Sequence, residues 1–433
     1  MTVRVAIIGY GTVGQGAARI LTAHREEIHR KTGILLDLAS VCARSIHQKD
    51  TSFLSPEVQR LTDWQTALAD SSVDVVAELI GGTGVAADVV RASLRAGRSV
   101  VTANKNLLAE RGAELEALAA EFSPGLHCEA SVAGGIPVLA AIREGLAGDV
   151  VESLYGILNG TCNFILTTME SEGREMSDVL AEAQSLGYAE ADPSADVEGY
   201  DARFKLAILA RLAFGGEIPL AAISCQGITR VSKVDFQYAH SLGLTIRLLG
   251  AARRGDDGAI SLFVRPMLIS RSHMLAKVEG SYNAVWVKGA RGGDTMYYGR
   301  GAGADPTGVS VVADIIRAAR DLRVGARGRV PTLGFAEPGA LHARISADGP
   351  PTRHYLRFVI NDRPGILAAL AGVCAKHDIS IDAVIQEPHT DKHNLPFVIT
   401  ILPAPAAVVA QAVAEMEAFD FLREPPLHLV IAD

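Results

Sequence analysis

The stretch GYAEADPSADVEGYDARFKLAILARLAFGG, residues 187–216, concentrates side chains able to do acid–base chemistry. From Tyr200 onward its apolar spacing predicts a helix, and at about 100° per residue Asp201, Lys205, Ile208 and Leu212 share one strip, roughly opposite Arg203. An acid four residues before a lysine is also the spacing of an ordinary surface ion pair. A surface pair would lie on the side of Arg203, whereas this one heads a strip that continues into apolar residues. Partly buried charges need partners, and a charged substrate can supply them. Glu190, Asp192, Asp196 and Glu198, in the loop before the helix, add carboxylates suited to a substrate ammonium group. Some of these must cap the helix or stay solvated, and spacing does not sort them.

A second chemical signal opens the chain. In AIIGYGTVGQG, residues 6–16, an apolar run feeds into Gly9-x-Gly11-x-x-Gly14. Gly9 permits a tight turn, Gly11 lets backbone approach a pyrophosphate, and Gly14 lets the following helix pack closely on the strand. Free N–H groups at the helix start favour phosphate, so the stretch reads as a dinucleotide site. An NAD-selective site usually ends its second strand with an acid on the ribose hydroxyls. Here that strand ends SVCARS, with Arg44 nearby and Asp37 placed too early, which favours the 2′-phosphate of NADP and leaves NAD open. A solvated loop arginine is the plain alternative.

Two further turns are ambiguous on their residues alone. Lys105, in VTANKNLL, follows a strand at the carboxyl edge where open α/β sheets bind ligands, so it could meet substrate or nicotinamide ribose. It could equally be an exposed lysine at a helix start. EASVAGGIPVL, residues 129–139, offers exposed carbonyls to a hard monovalent cation, but as chemistry it reads first as a connection.

The elements that must position these groups follow from periodicity. Residues 1–130 alternate short apolar runs (VRVAIIG, LLDLASVCA, VDVVAELIGG, GRSVVTANK, LHCEASV) with helical patterns, the first a helix from Gly14 closed by Gly33. Continuous β-branched strands separated by helices predict a parallel, doubly wound Rossmann-type sheet. Residues 131–340 read as a mixed α+β middle domain, and 341–352, with Gly349, Pro350 and Pro351, as a linker. Residues 353–433 follow the order βαββαβ, which predicts a separate ferredoxin-like module.

With 433 residues, 48% apolar and 21% charged, the chain is expected to be globular and multidomain. A net charge of −8 with no basic run argues against nucleic acid and anionic membranes. Five scattered cysteines (Cys42, Cys128, Cys162, Cys225, Cys374) form no CxxC pair, so neither disulfides nor zinc are expected, and a reducing cytoplasm fits. No secretory signal or membrane span is legible.

These residues carry a family resemblance. GYGTVGQG, VTANK, EASVAGGIP, GILNGTCNFIL and, most specifically, GYAEADPSADVEGYDARFKLAILA resemble homoserine dehydrogenase. NDRPGILAALA resembles an ACT domain, a small-molecule regulatory module. The resemblance implies NAD(P)-dependent interconversion of L-homoserine and L-aspartate 4-semialdehyde, toward threonine, methionine and isoleucine. It implies Lys205 as the catalytic acid/base, with Lys105 between cofactor and substrate, and Glu190 and Asp201 as substrate carboxylates. It implies cofactor contacts at Gly9, Gly11, Thr12, Val13, Gly14, Arg44, Lys105, Gly187, Glu190 and Gly303. It further implies a structural sodium ion at Glu129, Val132, Gly134 and Ile136, overruling the plain connection on family grounds. An amino-acid effector, expected to be L-threonine, would lie at Asn361, Asp362, Gly365 and Ile366, in a homodimer or higher homo-oligomer. Two other readings are weighed against this one: a sensor that keeps the fold without activity, and a dehydrogenase for another amino alcohol. The Asp201–Lys205 pair argues against the sensor, and substrate trials separate the other.

Overall fold

The first strand, Thr2–Ile8, is buried along nearly its whole length, so it needs cover on both faces. The computed structural model provides it, and describes residues 2–122, 125–326, 331–332, 335, 344–346, 349–388 and 391–432. In chain order the early elements are β1 (Thr2–Ile8), α1 (Thr12–Ala23), α2 (Arg25–Thr32), β2 (Leu35–Cys42), β3 (Gln59–Leu61) and α3 (Trp64–Ala69). Next come β4 (Val75–Glu78), α4 (Val85–Arg95), β5 (Ser99–Thr102), α5 (Lys105–Phe122), β6 (Leu126–His127) and α6 (Val138–Ala140). Then follow β7 (Val151–Ile157), α7 (Gly160–Glu172), α8 (Met176–Ser185), α9 (Ser194–Val197), α10 (Tyr200–Phe214), β8 (Ser224–Cys225) and α11 (Lys233–Ser241). The remainder comprises β9 (Leu244–Arg254), β10 (Ile260–Ser270), β11 (Tyr282–Gly289), β12 (Gly293–Arg300) and α12 (Ala304–Arg323), then β13 (Thr352–Ile360), α13 (Ile366–Lys376), β14 (Ile381–Ile385), β15 (Leu395–Ala404), α14 (Ala406–Met416) and β16 (Leu427–Ile431).

The chain divides into two compact units: residues 1–154, 204–221 and 283–343 form the first, and 155–203, 222–282 and 344–433 the second. In the first, six parallel strands lie in the order β3-β2-β1-β4-β5-β6, so the winding reverses between β1 and β4. Ligands of such sheets bind at the carboxyl ends of strands at that reversal. One helix on this sheet comes from far along the chain. α12 places Val311, Val312, Ile315, Ala318 and Ala319 in one core with Val3, Val5, Ile7 and Ala17. The two helices cross closely, because a Cβ on Gly16 would stand 2.1 Å from the Ala304 carbonyl and one on Gly308 would stand 2.9 Å from the Ala17 nitrogen.

The second unit holds the strands β9-β10-β16-β13-β15-β14 in one sheet. Its last four strands run β16-β13-β15-β14, the ferredoxin-like arrangement that the βαββαβ order predicts, and α13 and α14 pack Ile366, Leu370, Val409 and Val413 onto them.

Three expectations change. The helix read from Gly14 to Gly33 is two helices, broken at His24, although Gly33 does close the second in a left-handed conformation (φ 68°). The strand read through LHCEASV stops at His127, and Glu129–Ser131 is a turn of 3₁₀ helix, because the Glu129 carboxylate accepts the first N–H groups of the next helix at Leu139 and Ala140. The C-terminal module is not separate. β16 pairs in parallel with β10 (Met267 opposite Val430), and the fully buried Tyr355 donates its hydroxyl to Asp235 of α11 (2.8 Å). Arg357 completes that link, 3.3 Å from the same carboxylate. Order along the sequence cannot show whether a module's edge strand is covered.

A buried histidine pair, His354 of β13 and His428 of β16, joins adjacent strands with ring nitrogens 2.9 Å apart. Burial, then the neighbouring His354 and Arg265, pushes His428 down to about 3, and burial likewise lowers His354. Both are therefore neutral in the fold and gain protons on unfolding. Their stabilisation is complete above the ordinary histidine pKa and is lost as pH falls through about 6.5 toward the folded value. We expect wild-type stability against urea to fall by about 2 kcal/mol on account of His428 between pH 7.5 and pH 5, with His354 acting in the same direction. His428→Gln should flatten that slope; an unchanged slope would show that this histidine is not held neutral.

Candidate active site

The nucleotide loop is built by exclusion. Gly9 takes φ 108°, and a Cβ there would stand 2.3 Å from the Leu79 backbone at the end of β4. At Gly14 a Cβ would stand 2.2 Å from the Gly9 carbonyl, so the loop can close onto α1 only with glycine at both positions. Gly11 is different: nothing lies within 4 Å of the place a Cβ would take, so its backbone faces open space at the start of α1. That is the cradle a pyrophosphate requires, with the N–H groups of Thr12, Val13 and Gly14 at the free end of a helix. Beside it lies a cleft of about 650 Å³ lined by Gly9, Gly11, Leu79 and Gly81 from the ends of β1 and β4. Arg44 and Lys49 line the same cleft on the side of β2. Arg44 is exposed and makes no hydrogen bond or ion pair among the described residues. Lys49 was not marked by the sequence, because nothing in its spacing ties it to the glycines. Gly303, the residue before α12, also belongs to this unit, with φ 121°.

Lys105 heads α5, held by a chain of buried hydrogen bonds. Glu78, buried at the end of β4, accepts from the Ile80 and Gly81 N–H groups (2.7 and 3.3 Å) and from the Thr102 hydroxyl (2.7 Å). Burial raises the Glu78 pKa against those bonds. Thr102 accepts from the Asn104 N–H, and the Asn104 amide donates to the Gly82 carbonyl (2.7 Å) while its oxygen accepts from the Leu107 N–H (3.1 Å). Glu78, Thr102 and Asn104 are positioning residues, and each hydrogen bond to the charged carboxylate contributes about 1.5–3 kcal/mol. Thr102 and Asn104 stand in VTANK and Glu78 in the run VDVVAELIGG, but spacing assigned none of the three a role.

α10 carries Asp201 and Lys205 as the spacing requires, with Asp201, Ile208 and Leu212 buried and Lys205 half-buried. The side of Arg203 is not a solvated face, which corrects the contrast drawn from the sequence. The helix is buried on almost every side, and Arg203 is half-buried with its guanidinium over the Tyr200 ring, 5.1 Å from the centroid. Asp201 and Glu190 belong to the second unit, Lys205 and Lys105 to the first. Asp201 is oriented by Asn159, whose side-chain nitrogen donates to it (2.9 Å) and to Asp196 (2.6 Å) while its oxygen caps α7 through the Cys162 N–H (2.8 Å). Asn159 lies in GILNGTCNFIL, where no periodicity distinguishes it from a plain cap. Glu190 and Gly187 are exposed in a loop tied to α7 by the Thr161 hydroxyl on the Tyr188 carbonyl (2.6 Å).

The loop 132–136 is buried and strained, with Ala133 and Gly134 at φ 51° and 21°. Glu129 commits its carboxylate to the Leu139 and Ala140 N–H groups, so only its main-chain carbonyl could serve a cation beside those of Val132, Gly134 and Ile136. No group of three or more His, Cys, Asp or Glu side chains suited to a metal occurs among the described residues. In the C-terminal module Gly365 takes φ 96° ahead of α13, Ile366 is buried and Asp362 exposed, and the Asn361 side-chain oxygen accepts a hydrogen bond from His393 Nδ1 (3.0 Å).

Comparison with known proteins places the chain in a family. A sequence model of the homoserine dehydrogenase NAD-binding domain matches residues 9–127, that of homoserine dehydrogenase itself 137–316, and that of the ACT domain 354–421. The homoserine dehydrogenase of Neisseria gonorrhoeae is 41% identical over 98% of this chain and 97% of its own. The chain belongs to the homoserine dehydrogenase family. It is thus an NAD(P)-dependent oxidoreductase. The crystal structure of a homoserine dehydrogenase from Thiobacillus denitrificans superposes with a TM-score of 0.92, at 38% identity, covering 100% of this chain and 99% of that one. A hyperthermophilic archaeal homoserine dehydrogenase solved in complex with NADPH aligns with a TM-score of 0.62 at 28% identity, over 74% of this chain and 98% of that one.

Gly11 gives a clean test of the loop. Gly11→Ala adds a methyl group with nothing within 4 Å, so thermal stability should hold while the dissociation constant for NADPH rises roughly tenfold or more. Unchanged NADPH affinity, measured by fluorescence titration, would remove the pyrophosphate from this turn.

Proposed function

We propose that the protein interconverts L-homoserine and L-aspartate 4-semialdehyde with NADP, the reduction serving threonine, methionine and isoleucine biosynthesis. Asp201 carries this reading: a carboxylate nine-tenths buried, aimed by Asn159, on the same helix and four residues before Lys205. Such a group suits a substrate that brings an ammonium, and Glu190 is its proposed companion. Holding the ammonium orients the substrate and lowers the entropic cost of reaction. The nicotinamide cofactor, when bound, supplies the hydride chemistry. In the reductive direction Lys205 stabilises the oxygen on which charge develops and delivers a proton to it; in oxidation it takes that proton back. Lys105, fixed at the head of α5, is the second cation for the same oxygen or for the nicotinamide ribose.

Arg44, helped by Lys49, supports NADP over NAD, since both cations line the cleft beside Gly11 and Arg44 has no acidic partner among the described residues. Thr12, Val13, Gly14, Gly187, Glu190 and Gly303 complete the proposed cofactor contacts. Glu129, Val132, Gly134 and Ile136 are proposed to hold sodium through carbonyl oxygens. The chain is proposed to comprise a Rossmann domain (1–130), a catalytic and dimerisation domain (131–340), a linker (341–352) and an ACT domain (353–433) whose Asn361, Asp362, Gly365 and Ile366 bind threonine. A homodimer or higher homo-oligomer in the cytoplasm completes the reading. All five cysteines are free thiols, and among the described residues no helix is long and apolar enough to cross a membrane.

The assay is direct: L-homoserine with NADP, then with NAD, then with added L-threonine. Lys205→Ala should lower kcat by about 10²–10⁴-fold with NADPH affinity kept within about twofold. Lost nucleotide affinity with turnover preserved would overturn the assignment. Arg44→Ala should cut the NADP-over-NAD preference in kcat/KM by roughly tenfold, the loss of one charged contact; an unaltered ratio would move the selectivity elsewhere.

A further inference from the structure

The second unit contains a small cavity of about 120 Å³ that the dehydrogenase reading does not use. Its lining includes Arg253 of β9, Ser261, Phe263 and Arg265 of β10, Ser224 of β8, and Ala406 at the start of α14. Residues 261, 263 and 265 alternate onto one face of β10, and Arg253 stands opposite Ser261 in the antiparallel register. One strand face thus brings both arginines and the serine to the same space.

Among the described residues no carboxylate answers the charges there. Arg265 lies over the Phe263 ring, 4.4 Å from its centroid, and donates to the Ser224 hydroxyl (3.2 Å). Neither Arg265 nor Arg253 has a carboxylate partner among the described residues. Burial depresses the Arg265 pKa, as expected for a cation denied a counter-charge. Ser261 is 6% exposed, and its hydroxyl oxygen has no hydrogen-bond partner among the described residues. The eleven-residue helix α14 begins at this cavity, so its free N–H groups and positive end add to the same field. A half-buried cation without a carboxylate and a buried hydroxyl without a partner among the described residues each cost stability unless something completes them.

We propose that this cavity binds a small dianionic oxyanion, phosphate or a short dicarboxylate, between the β9–β10 hairpin and the C-terminal module. Two guanidinium groups match two negative charges, and the volume suits a compact ligand. No carboxylate among the described lining residues could hold an ammonium group, so a zwitterionic amino acid is poorly matched. This site is separate from Asn361, Asp362, Gly365 and Ile366, and does not rest on the reaction proposed above.

Isothermal titration of the full-length protein with inorganic phosphate, and in a second arm with succinate, at constant ionic strength in chloride, tests it. One site per chain is expected, with Arg253→Gln and Arg265→Gln each weakening binding at least about tenfold. Arg44→Gln, in the nucleotide cleft, should leave it unchanged. Binding of either anion alone supports the site and names its ligand class. Should Arg265→Gln fail to fold by circular dichroism, the half-buried Arg253 carries the test. The proposal falls if neither anion binds above chloride, if binding survives both cavity substitutions, or if it disappears in Arg44→Gln.

Discussion

Close approach of backbone to backbone, permitted by glycine, is the constraint on which the first unit depends. α1 must meet α12 where Gly16 faces the Ala304 carbonyl and Gly308 faces the Ala17 nitrogen. It must also meet its own strand where Gly14 faces the Gly9 carbonyl. A methyl group at Gly14 or Gly16 would drive the parts well apart, and one at Gly308 would still force a shift. The nucleotide loop, the start of α1 and Gly303 at the start of α12 are therefore set by one packing arrangement. Part of the nucleotide-binding sheet's cover comes from residues about three hundred positions later in the chain.

Positioning of the reactive groups follows a second rule, that a buried polar group must be bonded. Glu78, Thr102 and Asn104 satisfy one another and the backbone at Gly82, and so fix the end of β5 from which Lys105 projects. Asn159 satisfies Asp196 and Asp201 together while capping α7. The first network fixes where Lys105 can stand and the second where Asp201 can stand. At Ser261, whose hydroxyl has no partner among the described residues, and at the two arginines without a carboxylate partner there, the second unit has a space for something else.

The C-terminal ACT module is built into the scaffold of the second unit. Its edge strand β16 continues onto β10, and Asp235, Tyr355 and Arg357 form a buried polar contact inside the second unit. Burial raises the pKa of both Asp235 and Tyr355, and Arg357 offsets part of the cost for Asp235. Removing one partner of such a cluster typically costs several kcal/mol, because the rest is left buried and unpaired.

By itself the sequence determined the local things: where most strands run, that Gly9, Gly11 and Gly14 form a tight turn at the head of α1, that Asp201 and Lys205 share a helical strip, and that the last strands and helices alternate as βαββαβ. Periods of 2 and 3.6 and the steric needs of glycine act over a few residues and are readable there. Tertiary structure alone decided what those elements meet. It broke the helix at His24, ended a strand at His127, enclosed α10 on the side of Arg203, brought α12 onto the first sheet and joined β16 to β10. It also selected Lys49, Glu78, Thr102 and Asn159, whose importance lies in partners distant along the chain. Each of these depends on long-range burial and hydrogen-bond satisfaction, for which sequence spacing holds no signal.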